Sequence, residues 1–479
     1  MKIKKCLWLI LLISSLSFLY AAELPEFKRE VDKAINDKND SALAKIIQDG
    51  DREAIDYGFY IALQIAGKEM AQQFLDGGAD INHQDSLGVT PLIMAINQKL
   101  DKEIVTMLLD RGANPNIQDN SGQTALMHAI IWKSPIKIVK ILLKKGSDAT
   151  IQDNQGRIAL MYAITTNADK KIITLLLDNT ADINIQDKWG KAAFMYILDK
   201  KDEELIEKVI DKIDPNIQDK NGQATLLTVM QRKPINHKLV ELLLEKGADP
   251  NNKNQYNTTP LIIAVKNNDN KLVKLLLDKG ANPNVMQNGD WAVPLIDAIK
   301  SNNMEIIQML LDHGADVNMK GLGQRNSLLT AVAARRSPTI IKLFLDHGAD
   351  VNGKDVFYNS TALMYALGIA DDRLRMDNLT GFDTKNVNEE IVQMLLDAGA
   401  TIYDYDRIQD RFQANTGKTD LMIAILRGLD KKYIQMLLDK GIWGKDLNLK
   451  DKSNKTALMY AQEKGDKELV AMLKKAGAR

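Results

Sequence analysis

The stretch Thr90-Pro91-Leu92-Ile93-Met94-Ala95 begins a phrase that returns along most of the chain. Every copy has Leu or Phe at its third position and Ala, Val or Ile at its sixth. The copies lie at residues 90–95, 124–129, 158–163, 192–197, 224–229, 259–264, 293–298, 327–332, 361–366, 419–424 and 456–461. Most of them begin 34 residues apart, so the sequence predicts an array of one repeated structural unit.

Each repeated unit is predicted to form a pair of helices. Thr90 stands where a helix N-cap belongs, and Pro91 follows it in the first turn, where a missing N–H costs nothing. Apolar residues at helical spacing then predict one buried face on each helix. They are Leu92, Ala95 and Ile96 in the first helix and Ile104, Val105, Leu108 and Leu109 in the second. Gly112 can take the left-handed conformation that closes the second helix.

Neither helix of a pair can bury its apolar face alone. Stacking of neighbouring pairs would bury these faces in one continuous core. Between pairs, segments rich in Asn, Asp and Gly, such as residues 117–122, favour tight turns. The predicted fold is therefore an α-solenoid of helix–turn–helix repeats with short β-hairpin or turn tips.

These residues closely resemble the ankyrin repeat family. The resemblance rests on Thr-Pro-Leu at 90–92 and 259–261, Leu-Leu-Leu at 275–277 and the recurrent Gly-Ala-Asp/Asn-x-Asn, and it covers roughly residues 29–479. It implies a non-catalytic protein–protein interaction scaffold. One departure stands out, because the family's usual His after Thr-Pro-Leu is apolar in most copies, as at Ile93, Met127 and Met161. We expect this change to replace a buried hydrogen bond with apolar packing.

The N-terminal residues differ from the array. Residues 1–22 carry Lys2, Lys4 and Lys5, then an apolar stretch, then two alanines, which is the pattern of a cleaved secretory signal. An uncleaved anchor is the alternative. Cys6 would leave with the signal, so the mature chain would hold no thiol for a disulfide, for zinc or for catalysis. We expect capping helices over residues 23–56, the array over residues 57–479, and a periplasmic or secreted destination.

Composition excludes several partners and chemistries. Lys and Arg together number 63, as do Asp and Glu, so the chain has no excess positive charge for nucleic acid. Beyond the N-terminus no apolar run predicts a membrane span. The equivalent His313 and His347 are interpreted as C-terminal helix residues, since neighbouring helices lie too far apart for both to hold one metal ion. We expect no metal, no cofactor and no catalytic residue.

Two insertions interrupt the period, at residues 367–389 and 401–417. Loops accept added length readily, so these segments are neutral loop variation or a finger that grips a partner. A third hypothesis places an enzyme active site in them. Against it, about 40 residues cannot build a catalytic core, and the two segments contain neither His nor Cys.

The variable residue beside each tip glycine should face solvent. Large aromatic groups occupy this place at Trp189, Tyr256, Trp291 and Tyr358, and Trp and Tyr are preferred interface anchors. We interpret these four residues as a partner-binding stripe. Packing of each ring across the neighbouring turn is the alternative.

The sequence thus predicts an exported, monomeric scaffold that binds a protein of unknown identity. A secreted effector or inhibitor that binds a host or competitor protein is the alternative function.

Overall fold

The computed structural model describes residues 26–288, 292–321, 324–356, 360–370, 387–402, 418–444 and 447–479. The signal segment predicted for residues 1–22 and most of both insertions lie outside these residues. Contacts divide the chain after Lys220 into two units. None of the helices in the part of the chain that the structure describes is long and apolar enough to cross a membrane.

The first unit consists of short helices joined by turns. Its helices are α1 (Glu26–Asn36), α2 (Asp40–Asp49), α3 (Arg52–Ile61), a π-helical turn (Ala62–Ala66), α4 (Lys68–Asp76), α5 (Pro91–Asn97), α6 (Lys102–Asp110), α7 (Ala125–Ile131), α8 (Ile136–Lys144), α9 (Ala159–Thr165), α10 (Lys170–Asn179), α11 (Ala193–Lys200) and α12 (Glu203–Val209). Helix α3 runs across residue 57, where the sequence analysis divides the capping helices from the array.

The second unit repeats the same alternation. Its helices are α13 (Thr225–Met230), α14 (His237–Glu245), α15 (Pro260–Lys266), α16 (Asn270–Asp278), α17 (Pro294–Ser301), α18 (Met304–Asp312), α19 (Ser327–Ala333), α20 (Pro338–Asp346), α21 (Ala362–Ala366), α22 (Glu389–Asp397), α23 (Asp420–Arg427), α24 (Lys431–Asp439), α25 (Ala457–Glu463) and α26 (Lys467–Lys475).

The predicted helix signals are confirmed in the repeat at residues 90–113. The Thr90 Oγ1 accepts a hydrogen bond from the backbone N–H of Ile93 at 3.2 Å, and Pro91 is the first residue of α5. At the end of α6, Gly112 has a φ of 97°. The N–H of Ala113 then reaches back to the Leu108 carbonyl at 2.9 Å and closes the helix.

One copy differs from its predicted register. The sequence analysis starts that copy at Ser327, but the helix N-cap is Asn326, whose Oδ1 accepts a hydrogen bond from the N–H of Leu329 at 2.9 Å. Asn is as good an N-cap as Thr, and the apolar positions Leu328 and Leu329 are both buried, so pattern alone did not fix the register.

Stacking of like helices forms the core. In the first unit α5 contacts α7, α7 contacts α9, and α9 contacts α11, while α6 contacts α8 and α8 contacts α10. The second unit shows the same order, with α15 on α17, α17 on α19 and α19 on α21. The predicted helical solenoid is confirmed. At the described tips the only sheet-like pairings are isolated antiparallel bridges, Gln186 with Ala192 and Lys354 with Thr361.

An asparagine clamp ties successive repeats together. The Nδ2 of Asn116 donates to the Gly146 carbonyl at 2.9 Å, and its Oδ1 accepts from the N–H of Asp148 at 2.8 Å. Asn352 makes the same two bonds, to the Gly399 carbonyl at 3.1 Å and from the Thr401 N–H at 2.8 Å. The repeat that contains the insertion at residues 367–389 therefore keeps the ordinary connection to the next repeat.

Candidate binding surface

The tip that carries Trp189 is shaped by one buried carboxylate. The Oδ1 of Asp187 accepts hydrogen bonds from the N–H groups of Trp189, at 2.8 Å, and Lys191, at 2.9 Å. Gly190 between them has a φ of 78°, which suits glycine. This turn fixes the backbone of Trp189 and leaves its side chain pointing away from the core.

The same turn recurs at other tips. An Asp or Asn at the first position accepts from the N–H groups two and four residues later, and the second residue after it stands at the tip. The accepting residues are Asp85, Asp119, Asp153, Asp187, Asn254 and Asp451.

Neighbouring tips are linked by backbone hydrogen bonds. In the first unit the N–H of Lys188 donates to the Gln155 carbonyl at 2.8 Å, and the N–H of Lys220 donates to the Trp189 carbonyl at 2.9 Å. The approach is close, since a Cβ on Gly190 would lie 2.9 Å from the Asp219 Cα. Four tip residues of this unit thus form one braced row, here called the tip row: Leu87, Ser121, Gln155 and Trp189.

The structure places two of the four predicted stripe residues at tips. Trp189 is 50% exposed in the first unit, and Tyr256 is 58% exposed in the second. Trp291 and Tyr358 lie outside the described residues. Leu87, at the other end of the tip row, is 66% exposed. Packing across the neighbouring turn therefore leaves half or more of each described ring open to solvent.

Two lysines adjoin the backbone of Trp189, because Lys188 precedes it and the N–H of Lys220 donates to its carbonyl. Lys188 and Lys220 are exposed, and neither forms an ion pair within the residues that the structure describes. The Nζ of Lys191 lies 5.7 Å from the centroid of the Tyr196 ring. Lys188 and Lys220 thus add unpaired positive charge beside an exposed indole.

Behind the tips, the same carboxylates reach the first helices. The Asp153 Oδ2 accepts a hydrogen bond from the Tyr162 hydroxyl at 2.6 Å. Equivalent bonds join Tyr196 to Asp187, Tyr365 to Asp355, Tyr460 to Asp451 and, with the imidazole Nε2, His128 to Asp119. At the place of the family's usual His, Ile93, Met127 and Met161 are buried, as the expected apolar packing requires, and a buried hydrogen bond is made instead one position later, by His128 and Tyr162.

Three of these tyrosines belong to the core. Tyr162, Tyr365 and Tyr460 are each 6–7% exposed. Burial, together with the bond to Asp153, raises the pKa of Tyr162 to about 12. The phenol therefore remains a donor at neutral pH and holds the tip against the helix. The bracing role of the tip Asp residues was missed, although the spacing of nine or ten residues from Asp to Tyr or His could have indicated it.

The histidines have structural partners. The Nδ1 of His313 lies 2.8 Å from the Met309 carbonyl at the end of α18, and His347 makes the same contact with the Leu343 carbonyl. His128 is buried between Asn97 and Asp119. Among the described residues, no three His, Cys, Asp or Glu side chains are grouped as a metal site would require.

Comparison with known families covers almost the whole described chain. The model of the family described as Ankyrin repeats (3 copies) matches residues 59–153, 103–187, 134–219, 192–287, 227–321, 295–371 and 383–479. A search of curated proteins finds no match.

Proposed function

Because the chain belongs to the ankyrin repeat family, whose repeats generally mediate protein–protein interaction, we propose that it is a non-catalytic scaffold that binds a protein partner through its tips. The observation that carries this proposal is the half-exposed indole of Trp189 on a turn that Asp187 fixes. A large aromatic group held in one place loses little conformational freedom on binding, and such groups dominate interface energies.

The charge around Trp189 supports a partner surface with acidic groups. Lys188 and Lys220 would attract carboxylates toward the indole, and such attraction weakens as salt screens it. Tyr256 offers a second aromatic contact in the other unit.

Export is part of the proposal. It rests on the pattern of residues 1–22, with three lysines before an apolar stretch. Fractionation of the producing cells tests it. Protein retained with the cell envelope supports a periplasmic scaffold, protein in the medium supports the secreted effector or inhibitor, and a chain with residues 1–22 intact in the cytoplasm refutes export.

Affinity capture with matched variants tests the binding surface. Trp189→Ala removes the tip indole, whereas Trp132→Ala removes an indole that is 38% exposed at the end of α7, away from the tip row. We expect Trp189→Ala to lower the affinity for the captured partner by roughly 30-fold, which corresponds to the loss of about 2 kcal/mol at an aromatic anchor.

Trp132→Ala should leave the affinity for the partner unchanged. Added salt should weaken the binding of the partner to the unmodified protein. The proposal fails if both variants retain the same proteins as the unmodified chain, at the same affinity.

A further inference from the structure

Three Asn–Gly pairs occur in the sequence, at residues 221–222, 288–289 and 352–353. In such a pair the backbone nitrogen of the glycine can approach the asparagine side chain closely, because no Cβ stands in the way. This approach is the first step of deamidation, which makes Asn a thermolabile residue. Gly289 lies outside the described residues, so the structure describes two complete pairs.

Asn221 occupies a tip. Its carbonyl accepts a hydrogen bond from the N–H of Gln255 at 2.8 Å, as the Gln155 carbonyl accepts one from the N–H of Lys188. Asn221 is exposed, and so are the four residues of the tip row. Water, which deamidation consumes, therefore reaches this residue directly.

The turn requires the glycine that follows Asn221. Gly222 has a φ of 72°, and a Cβ on it would lie 2.9 Å from the Lys253 carbonyl oxygen. The tip row has glycines at the same place, at residues 88, 122, 156 and 190, but the residues before them are Leu, Ser, Gln and Trp. Of these only Gln155 carries an amide, and its longer side chain would have to close a six-membered ring, which forms more slowly than the five-membered ring of Asn. At Asn221 a required glycine thus follows a reactive amide.

The second pair lies in an asparagine clamp, where the side chain is held. The Nδ2 of Asn352 donates to the Gly399 carbonyl at 3.1 Å, and its Oδ1 accepts from the N–H and the Oγ1 of Thr401 at 2.8 and 2.9 Å. The amide of Asn352 would have to leave these three bonds before the Gly353 nitrogen could attack it, and lost hydrogen bonds are costly. The clamp therefore protects Asn352, although a glycine follows it.

We propose that Asn221 is a site of spontaneous deamidation, which turns a neutral tip into an acidic one. The Gly222 backbone nitrogen gives its proton to the solvent and attacks the Asn221 Cγ. A new N–Cγ bond forms, the Cγ–Nδ2 bond breaks, and the amide group leaves as ammonia with a proton returned by the solvent. One water molecule then opens the cyclic imide at either of its carbonyls, so that aspartate or isoaspartate results without oxidation or reduction.

The two products differ in their effect on the tip. Both add a negative charge next to Lys220 in the chain. In isoaspartate the main chain passes through the former side-chain carbon, and the carbonyl that accepted from Gln255 becomes a carboxylate on a branch. In aspartate the main chain and this bond remain. The modification does not rest on the proposed binding function, because it requires only the tip and its glycine.

Peptide mass spectrometry of the mature protein, aged in mildly alkaline buffer, tests the site, because an acid and an amide differ in mass. Each rate is divided by the rate of the same pair in concentrated urea, so that effects of neighbouring sequence cancel. On this scale Asn221 should convert at least about tenfold faster than Asn352, since release from the clamp breaks three bonds and the loss of about one suffices for that ratio. Equal scaled rates, or an Asn221 that converts in urea but not in the folded protein, would overturn the proposal.

Two variants provide matched controls. Asn221→Gln gives this tip the amide that Gln155 carries at its own, and residue 221 should then remain unmodified. Freshly prepared Asn221→Asp supplies the charge on an unaltered main chain, so hydrogen exchange at the backbone amide of Gln255 should stay slow in this variant and become faster in the aged unmodified protein. An aged protein whose Gln255 amide exchanges as slowly as in Asn221→Asp would show that no isoaspartate forms, and would refute the cyclic intermediate.

Discussion

Replacement of Asp153 should reveal how much one tip carboxylate stabilises its repeat. Its Oδ1 accepts from the N–H groups of Gln155 and Arg157, each at 2.8 Å, and its Oδ2 accepts from the Tyr162 hydroxyl. Asp153→Ala removes both oxygens, and with them these three bonds and the two that Oδ2 accepts from the Arg157 guanidinium at 3.1 and 3.2 Å. The Nε2 of Gln123 contacts the Tyr162 hydroxyl at 3.0 Å, but an amide N–H is a donor and cannot replace the carboxylate.

The expected cost follows from these bonds. Two turn hydrogen bonds contribute about 1 kcal/mol each, and the stranded phenol adds about 1–3 kcal/mol, so Asp153→Ala should lower the free energy of unfolding by about 3–5 kcal/mol. Asp153→Asn should lower it by less, about 1–3 kcal/mol, since an amide oxygen still accepts both turn bonds while the amide NH2 in place of Oδ2 cannot accept from the Tyr162 hydroxyl. The chain itself shows this geometry at Asn254, which accepts from Tyr256 at 3.0 Å and from Thr258 at 3.1 Å.

Urea-induced unfolding followed by circular dichroism measures both variants. Because repeat arrays unfold in parts, hydrogen exchange at the amides of Gln155 and Arg157 supplies a local measurement. Those two amides should exchange much faster in Asp153→Ala and nearly as slowly as normal in Asp153→Asn. Equal losses of stability and protection in the two variants would refute the assigned role of the carboxylate.

Two further changes test the tips. In urea unfolding, Gly190→Ala should lower the free energy of unfolding by about 1–3 kcal/mol more than Gly112→Ala does. Both residues have positive φ, but only a Cβ on Gly190 would meet backbone atoms. Equal losses in the two variants would contradict the close stacking of tips. A raised tyrosine pKa contributes stability that is complete below the unfolded pKa of about 10 and is lost as pH rises toward the folded value. The unmodified protein should therefore lose more stability between pH 10 and 12 than Tyr162→Phe does, and parallel pH profiles would argue against the buried phenol.

The repeat was predictable because its signals are local. Thr90 caps its own helix and Gly112 closes its own, so each can be recognised from the residues beside it. Repetition then compensates for copies whose signals are weak, such as the copy that starts at Ala192, whose helix has no side-chain cap. The copy capped by Asn326 shows the limit, because two adjacent residues can both serve as a cap.

The polar bonds of the site were harder to predict because they join separate elements. Tyr162 reads as an apolar core residue by its place in α9, and only the structure shows its hydroxyl on the Asp153 of the preceding turn.

The tip carboxylates separate the fold from the proposed binding surface. Four of them, Asp119, Asp153, Asp187 and Asp451, bond both to backbone N–H groups of the turn and to the helix behind the tip, so they hold the turn through groups other than the tip side chain. Leu87, Ser121, Gln155 and Trp189 can therefore occupy equivalent places on nearly the same backbone. Such an arrangement lets the tip row change its chemistry at little cost in stability, because the core and the turn do not depend on it. In the proposed binding function, the choice of partner lies with the exposed tip residues, and above all with the indole of Trp189 and the unpaired lysines that adjoin it.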